Sequence, residues 1–199
     1  MSETRLSDEL EAWLKGEGDK TVGGLIEVFG EKSFALLFVL LLAVPALPLP
    51  TGGFTHLFEL VAMLIALQLC VGREEIWLPQ RWRALALGGE RQQRLLDRLL
   101  RMLRWLERYS RPRLAFLFRR PFGTVAFGLL VMAGCLGAFL APPFSGLDTL
   151  PALGVVLLSL GVLLEDAAVA LVGVVVGTAG VFLEFLLGKA AVHLVGGFF

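Results

Sequence analysis

Two long stretches without a charged side chain constrain this sequence more than any other feature. Residues 122–141 and residues 167–183 contain no Asp, Glu, Lys or Arg, and a helix needs roughly 17–25 apolar residues to cross a hydrocarbon core about 30 Å thick. Further apolar stretches occupy residues 34–49, 54–72 and 150–164. A soluble chain of 199 residues has no interior large enough to cover all of them. The sequence therefore predicts an all-α integral membrane protein, as its 56% hydrophobic residues and mean hydropathy of +0.76 also indicate.

Charged residues are unevenly distributed along the chain, although their formal sum is zero. Residues 73–120 contain 13 Lys and Arg against 5 Asp and Glu, whereas residues 1–32 contain 4 against 8. Basic loops of membrane proteins stay on the cytoplasmic side. We therefore expect a multi-pass membrane protein with residues 73–120 in the cytoplasm. The acidic, polar N-terminus lacks the pattern of a secretory signal.

The order of these segments predicts five regions. Two short one-sided helices, one with Ser7 as N-cap and one after Thr21, are expected to lie along the membrane surface or pack on its cytoplasmic face. The regions are amphipathic helices at 1–32, a first broken membrane hairpin at 33–72, a basic cytoplasmic linker at 73–120, a second broken hairpin at 121–166, and a transmembrane helix with tail at 167–199.

Clusters of proline and glycine interrupt both hairpins. The first cluster contains Pro48, Pro50 and Gly53, and the second contains Pro143 and Gly146. Proline removes a backbone donor and disrupts a helix, and lipid offers no partner to the freed backbone groups. We therefore expect each hairpin to enter the membrane, break and turn back, as re-entrant segments do.

The two breaks also align with each other. A shift of 93 residues places Pro50 on Pro143, Gly53 on Gly146, Thr55 on Asp148 and Leu67 on Leu160. Paired interrupted segments mark the binding site in transporters built from repeats. The sequence therefore predicts an internal repeat of either inverted or parallel orientation.

The basic linker contains an amphipathic helix. Its arginines recur every three or four residues opposite a row of leucines, which is typical of a helix lying flat on anionic lipid, with Trp105 at the boundary. This pattern explains the arginines better than nucleic-acid binding does. The predicted lipid-interface residues are Arg91, Arg94, Arg98, Arg101, Arg104 and Trp105, and the opposite face holds Leu95, Leu96, Leu99, Leu103 and Leu106.

Ionisable side chains within apolar stretches are the candidates for a site, because inserting each one costs roughly 2.5–3.5 kcal/mol. His56 and Glu59 lie on one helical face and could form a proton-responsive pair, or His56 could simply cap a loop at the water boundary. Asp148 is expected to cap the next helix, a role compatible with binding an ion or substrate. The predicted binding residues are His56, Glu59, Thr55, Asp148, Thr149 and Gln68.

Other acidic residues receive more ordinary interpretations. Glu165 and Asp166 are expected to mark a turn at the interface, and Glu184 lies in a long apolar run within reach of Lys189. Gln68 is also a candidate for hydrogen bonding between helices. Cys70 and Cys135 are expected to be buried free thiols. The sequence has no common hydrolase, zinc-protease or P-loop motif, so we expect neither an enzyme nor a metal or cofactor.

Several of these stretches together resemble the exopolysaccharide-synthesis ExoD family of bacterial membrane proteins. The matching pieces are residues 25–30, 48–50, 66–73, 77–79, 111–113, 150–153 and 160–166. The resemblance implies an inner-membrane protein linked to exopolysaccharide production and to growth at alkaline pH. The chain departs from the family pattern at Glu74 and Glu75, at Asp148 and at Ala167 and Ala168.

These observations favour a small transporter or transporter-like protein linked to protons or cations. The alternative is a non-catalytic accessory or scaffold subunit of exopolysaccharide or lipid-linked sugar export. The expected partners are anionic lipid headgroups, a second copy of the chain in a homodimer, and polysaccharide-export proteins, but no nucleic acid.

Overall fold

A computed structural model describes residues 5–16, 20–48, 54–87, 89–110, 121–142 and 145–196. Within these ranges the protein is all-helical, and an isolated antiparallel bridge between Thr21 and Ala86 is its single β-type contact. The described helices are α1 (Leu6–Lys15), α2 (Val22–Phe29), α3 (Lys32–Leu42), α4 (Thr55–Cys70), α5 (Gln80–Arg83), α6 (Glu90–Tyr109), α7 (Pro121–Leu140), α8 (Thr149–Leu163) and α9 (Ala167–Gly196).

Two of these helices are long and apolar enough to cross a membrane. They are the segments Phe122–Leu140 of α7 and Ala167–Leu187 of α9. Helices α3, α4 and α8 are also apolar but shorter. The fold is thus a helical bundle with two candidate membrane spans, as the long uncharged stretches predict.

Helix α1 packs against the linker helix α6, whereas α2 packs against α3 and α5. Thr21 caps α2, because its Oγ1 accepts a hydrogen bond from the Gly24 amide at 3.1 Å. The prediction that Ser7 caps α1 is wrong. Arg5 occupies the N-cap position, and Ser7 is buried in the first turn, where its amide and hydroxyl donate to Glu107 of α6 at 3.0 and 2.5 Å. Glu11 of α1 forms an ion pair with Arg104 of α6.

Helix α7 runs antiparallel to both α4 and α8. Gly128, early in α7, lies against Cys70 at the end of α4, whereas Phe139, late in α7, lies 5.4 Å from the ring of His56 at the start of α4. On the other side, Gly134 lies against Val155 and Gly137 lies near the start of α8. Helices α4 and α8 therefore run in the same direction.

Small residues bring α8 and α9 into backbone contact. A Cβ on Gly154 would lie 2.3 Å from the Cα of Gly177, and a Cβ on Gly161 would lie 2.3 Å from the Ala170 amide nitrogen. Such contacts are typical of membrane helices, where small residues let backbones approach closely. Because Gly154 pairs with Gly177 and Gly161 pairs with Ala170, the two helices are antiparallel.

The bundle consequently has two distinct ends. At the linker end α3 begins and α4 and α8 finish. Asp166 caps α9 there, accepting from the Ala168 amide at 2.8 Å and from Ser110 of the linker at 2.9 Å. At the break end α3 and α7 finish, and α4 and α8 begin. Pro48 and Gly146 lie at the break end, and the other predicted break positions, Pro50, Gly53 and Pro143, are outside the described residues.

Helices α4 and α8 match each other at the predicted shift. They finish at Cys70 and Leu163, which are 93 positions apart in the sequence. After each helix one residue has a positive φ, 79° at Gly72 and 52° at Glu165. The following amides of Arg73 and Asp166 donate back to the carbonyls of residues 68 and 161 at 3.0 and 2.8 Å. The two C-termini therefore share one capping geometry.

Candidate functional site

The first residue of α4 and the residue that precedes α8 contact each other at the break end. The Oγ1 of Thr55, the first residue of α4, donates to Oδ2 of Asp148 at 3.2 Å. Asp148 occupies the N-cap position of α8, but its side chain makes no capping hydrogen bond within the described residues. The predicted capping by this carboxylate is therefore wrong, and its place is taken by a contact between the two hairpins. Thr149 follows as the half-buried first residue of α8.

One turn into α4, a histidine and a glutamate form a close pair. Nδ1 of His56 lies 2.8 Å from Oε2 of Glu59, so the two residues share a face as their spacing predicts. The Glu59 side chain is 0% exposed and that of His56 is 23% exposed. A carboxylate in such a position is costly unless it is paired or protonated. One proton placed on either residue leaves the pair neutral as a whole.

The carboxyl group of Glu59 also has an unused oxygen. Its Oε1 is buried without a hydrogen-bond partner among the described residues. Buried polar atoms are nearly always hydrogen-bonded, so an orphan of this kind indicates a place for a proton, a water or an ion. Glu59 is therefore the focus of the candidate site.

Further ionisable groups surround this pair. Glu59 interacts electrostatically with Asp148 and with the buried thiol of Cys135 on α7. Glu184 of α9 interacts with both Asp148 and Glu59. We call His56, Glu59, Thr55, Asp148 and Glu184 the break-end cluster, which draws on α4, the start of α8 and α9.

The structure does not bring Gln68 to this cluster. Gln68 lies thirteen residues along α4 from Thr55, which is roughly 20 Å in a regular helix. Its amide group instead accepts from the Trp77 amide at 2.7 Å and donates to the Trp77 carbonyl at 3.1 Å. Gln68 therefore closes the loop that follows α4 at the linker end.

The arginine helix presents a different surface from the one its pattern predicts. Leu96, Leu99, Leu100 and Leu103 are buried against protein, so this apolar face is unavailable to lipid. The side chains of Arg94, Arg98, Arg101 and Arg104 are exposed, Trp105 is 61% exposed, and the side chain of Arg91 is outside the described part. Lipid contact through these exposed residues stays a prediction.

Metal-ligating groups do not converge in the described part of the chain. No set of three His, Cys, Asp or Glu side chains there is arranged to hold an ion. Cys70 and Cys135 are free thiols. Within the break-end cluster Thr55 contacts Asp148 and His56 contacts Glu59, and Glu184 interacts electrostatically with Asp148 and Glu59.

Glu184 was singled out in the sequence but was not among the predicted binding residues. A charged residue inside an apolar run indicates a functional position, and Glu184 interrupts such a run, which continues to Leu187. Its proximity to the cluster depends on how α9 packs on α8, which the local pattern does not reveal. The suggested partner Lys189 has a side chain outside the described part.

Comparisons with known proteins place the chain among bacterial relatives. The family model described as exopolysaccharide synthesis, ExoD, matches residues 6–185. An uncharacterised protein of Synechocystis sp. is 29% identical over 198 residues, which are 98% of this chain and 89% of that protein. Protein ExoD of Rhizobium meliloti is 31% identical over 170 residues, which are 83% of this chain and 70% of that protein. No solved structure matches the chain.

Proposed function

Because the chain belongs to the exopolysaccharide-synthesis family ExoD, we propose that it is a small transporter of the bacterial inner membrane linked to protons or cations. One observation carries this proposal. The fully buried carboxyl of Glu59 contacts His56 at 2.8 Å and keeps one oxygen without a hydrogen-bond partner in the described residues. Intramembrane ionisable groups of this kind mark ion pathways and proton relays.

The lengths of the helices support hairpins that turn back within the membrane. Helices α4 and α8 have 16 and 15 residues, or about 22–24 Å, which is less than the ~30 Å of a hydrocarbon core. The longer helix α9 passes the start of α8 at Gly180, and its apolar run continues to Leu187. The break end then lies short of the end of that run, inside the apolar layer.

The packing also supports a parallel internal repeat with a pseudo-twofold axis along the bundle. In such an arrangement, equivalent residues touch where they lie on the axis. Two contacting pairs are each 93 residues apart, Thr55 with Asp148 at the break end and Glu11 with Arg104 between α1 and α6. Packing of α3 on α8 and of α4 on α7 likewise exchanges partners between the halves. Parallel repeats with an axis along the membrane normal are known in transporters.

Sidedness follows from the same arrangement. Ser110 connects the basic linker to Asp166 at the linker end, and basic linkers stay in the cytoplasm. The break-end cluster would then face the opposite side of the inner membrane. Uptake of protons through it would connect this protein to the alkaline tolerance that its family resemblance implies.

The proposal is tested by proton flux into liposomes that contain the purified protein and a pH-sensitive dye. We expect an imposed pH gradient to collapse faster than in empty liposomes. His56→Ala and Asp148→Asn should each slow this flux by about tenfold or more. Glu74→Gln, in an exposed loop at the linker end, is the matched control and should leave the flux unchanged.

A second candidate function is the non-catalytic accessory subunit of polysaccharide export. The outer face of α4 favours it, because this face offers a partner helix an apolar row of Leu57, Leu60, Leu64, Leu67 and Val71, each at least 44% exposed. The same row could serve a homodimer or face lipid. Absence of flux above empty liposomes would favour this role over transport.

A further inference from the structure

We propose that Glu184 of α9 carries protons between water that enters the bundle from the break end and the buried His56–Glu59 pair. This inference rests on the proposed transport function and deepens it, because it names the proton as the ion and adds a group from a third helix. The acid is separated from the pair by more than 120 positions in the sequence and reaches it through the packing of α9.

The packing of α9 on α8 places Glu184 at the start of α8. A Cβ on Gly180 would lie 2.7 Å from the Leu150 Cβ and 2.7 Å from the Pro151 nitrogen. Glu184 is one helical turn further along α9, a rise of about 6 Å toward the break end. This position explains why its carboxyl interacts electrostatically with Asp148 and Glu59.

The direction of the side chain fits the same role. Its apolar neighbours on α9 face outward, with Leu183 39% exposed and Phe185 59% exposed. Glu184 itself is half-buried, so it faces the bundle and keeps contact with the outside. Burial therefore increases from the half-buried Glu184 and Asp148 to Glu59, which is fully buried.

The charges of the cluster favour proton exchange. The titratable groups that meet here are His56 and Glu59 from α4, Asp148 from the start of α8, Cys135 from α7 and Glu184 itself. One imidazole can neutralise one carboxylate, and the described part of α7 carries no charged side chain. Binding of protons by the other carboxyls lowers the remaining charge.

The arrangement fits a proton better than a metal cation. Calcium takes six to eight oxygen ligands around one point, roughly 2.3–2.6 Å away, and the described residues bring no three His, Cys, Asp or Glu groups together in that way. Chains of carboxyl and imidazole groups are instead the pattern of proton relays. The unpartnered Oε1 of Glu59 gives such a chain its acceptor.

Each step moves a single proton. Glu184 takes it from water and releases it, directly or through a bridging water, to the Glu59 carboxylate, which exchanges it with His56. The carboxyl that gives the proton becomes the carboxylate that can take the next one. Nothing is oxidised or reduced.

The test compares Glu184→Gln, Glu184→Asp and the control Glu74→Gln in liposomes with a pH-sensitive dye. We expect Glu184→Gln to reduce the flux by about tenfold or more, Glu184→Asp to keep part of it with an altered pH profile, and Glu74→Gln to match wild type. Unchanged flux in Glu184→Gln would overturn the role of Glu184 and leave the transport function standing. Lack of flux in wild type would instead overturn the transport function.

Carboxyl labelling gives a readout that does not depend on flux. Dicyclohexylcarbodiimide reacts with protonated carboxyl groups in apolar surroundings, and mass spectrometry locates the adduct. We expect labelling at Glu184 in wild type, with a rate that changes in Glu59→Gln but not in Glu74→Gln. An unlabelled Glu184, or a labelling rate indifferent to Glu59, would contradict the inference even if wild type transports protons.

Discussion

Helices α4 and α8 share the geometry of their C-termini but differ in the residues that a shift of 93 places opposite each other. Where α4 carries His56 and Glu59, a shift of 93 residues gives Thr149 and Ala152 in α8. Glu59 and Ala152 are both 0% exposed. At the position that the shift makes equivalent, α8 thus buries a small apolar residue instead of a carboxyl. The ionisable pair lies in α4, and Asp148 lies at the start of α8.

Helices α4 and α8 also differ at the positions where α8 contacts α9. Helix α8 has Gly154 and Gly161 where it contacts α9, and the equivalent residues of α4 are Val61 and Gln68. Larger side chains at these positions leave no room for a helix at backbone distance. In the first half, Gln68 instead binds the Trp77 backbone. Gly154 and Gly161 are thus where the long helix α9, which carries Glu184, approaches the backbone of α8.

The largest effect is expected when a carboxyl is placed in α8 at the position equivalent to Glu59. Ala152→Glu buries a carboxyl one turn after Asp148 with a threonine in place of the histidine partner. An uncompensated buried charge costs about 3–5 kcal/mol, so the apparent unfolding temperature in detergent should fall sharply. Adding Thr149→His recreates the His-x-x-Glu spacing and should recover part of the loss.

The exposed substitution Ala168→Glu at the linker end is the control for Ala152→Glu, and it should have little effect. Stability equal to wild type in Ala152→Glu would show that this buried position needs no imidazole partner. In that case the contact with His56 would not be the reason that a buried Glu59 is tolerated.

A smaller loss of stability is expected when a bulky side chain replaces a glycine at the contact between α8 and α9. Gly154→Leu puts a side chain where the Gly177 backbone now lies, and overpacking of this kind costs about 1–3 kcal/mol. Thermal unfolding in detergent measures the loss. Ala179→Leu, on an exposed face of α9, should behave like wild type. If both variants unfold at the same temperature as wild type, the glycines do not determine where α9 packs.

Local features of the sequence predicted the parts of the fold that depend on neighbouring residues. Proline and glycine fixed where the helices stop, so Pro48 and Gly146 lie in breaks between helices as expected. The spacing of His56 and Glu59 predicted their contact, because residues three apart share a helical face. The aligned breaks also indicated a shift of 93 residues, and Thr55 contacts Asp148, the residue that this shift pairs with it.

Local sequence patterns did not predict the features that depend on contacts between residues far apart in the chain. The sequence predicted that Asp148 caps α8. Its carboxylate instead accepts a hydrogen bond from Thr55 of α4. The leucines of α6 have the pattern of a lipid-facing surface, yet α1 and the bundle cover them. A row of apolar residues along a helix indicates that this face is buried, but it does not show whether protein or lipid buries it. The parallel direction of α4 and α8 likewise emerges only from their common partner α7.

The smallest expected effect concerns the segments that precede the two hairpins, α1 and α6. Glu11 and Arg104 are 93 residues apart and form an ion pair. A hydrogen bond from Lys15 and the charge of Arg104 hold the pKa of Glu11 below its ordinary value of 4.5. Since the pKa is lower in the folded state, the stabilisation is complete above the ordinary value and is lost as the pH falls through the folded one.

Hydrogen exchange of the α1 amides, corrected for intrinsic rates, measures this docking at pH 7 and at pH 3. Protection should decrease at pH 3 in wild type, and Glu11→Gln should show reduced protection already at pH 7 with a weaker dependence on pH. Asp8→Asn, exposed on the same helix, is the matched control. Because Lys15 belongs to α1 itself, only the Arg104 part of the interaction joins α1 to α6, so the change in protection should be modest. Equal protection in Glu11→Gln and wild type at both pH values would mean that the buried leucines and Ser7 hold α1 on α6 without this ion pair.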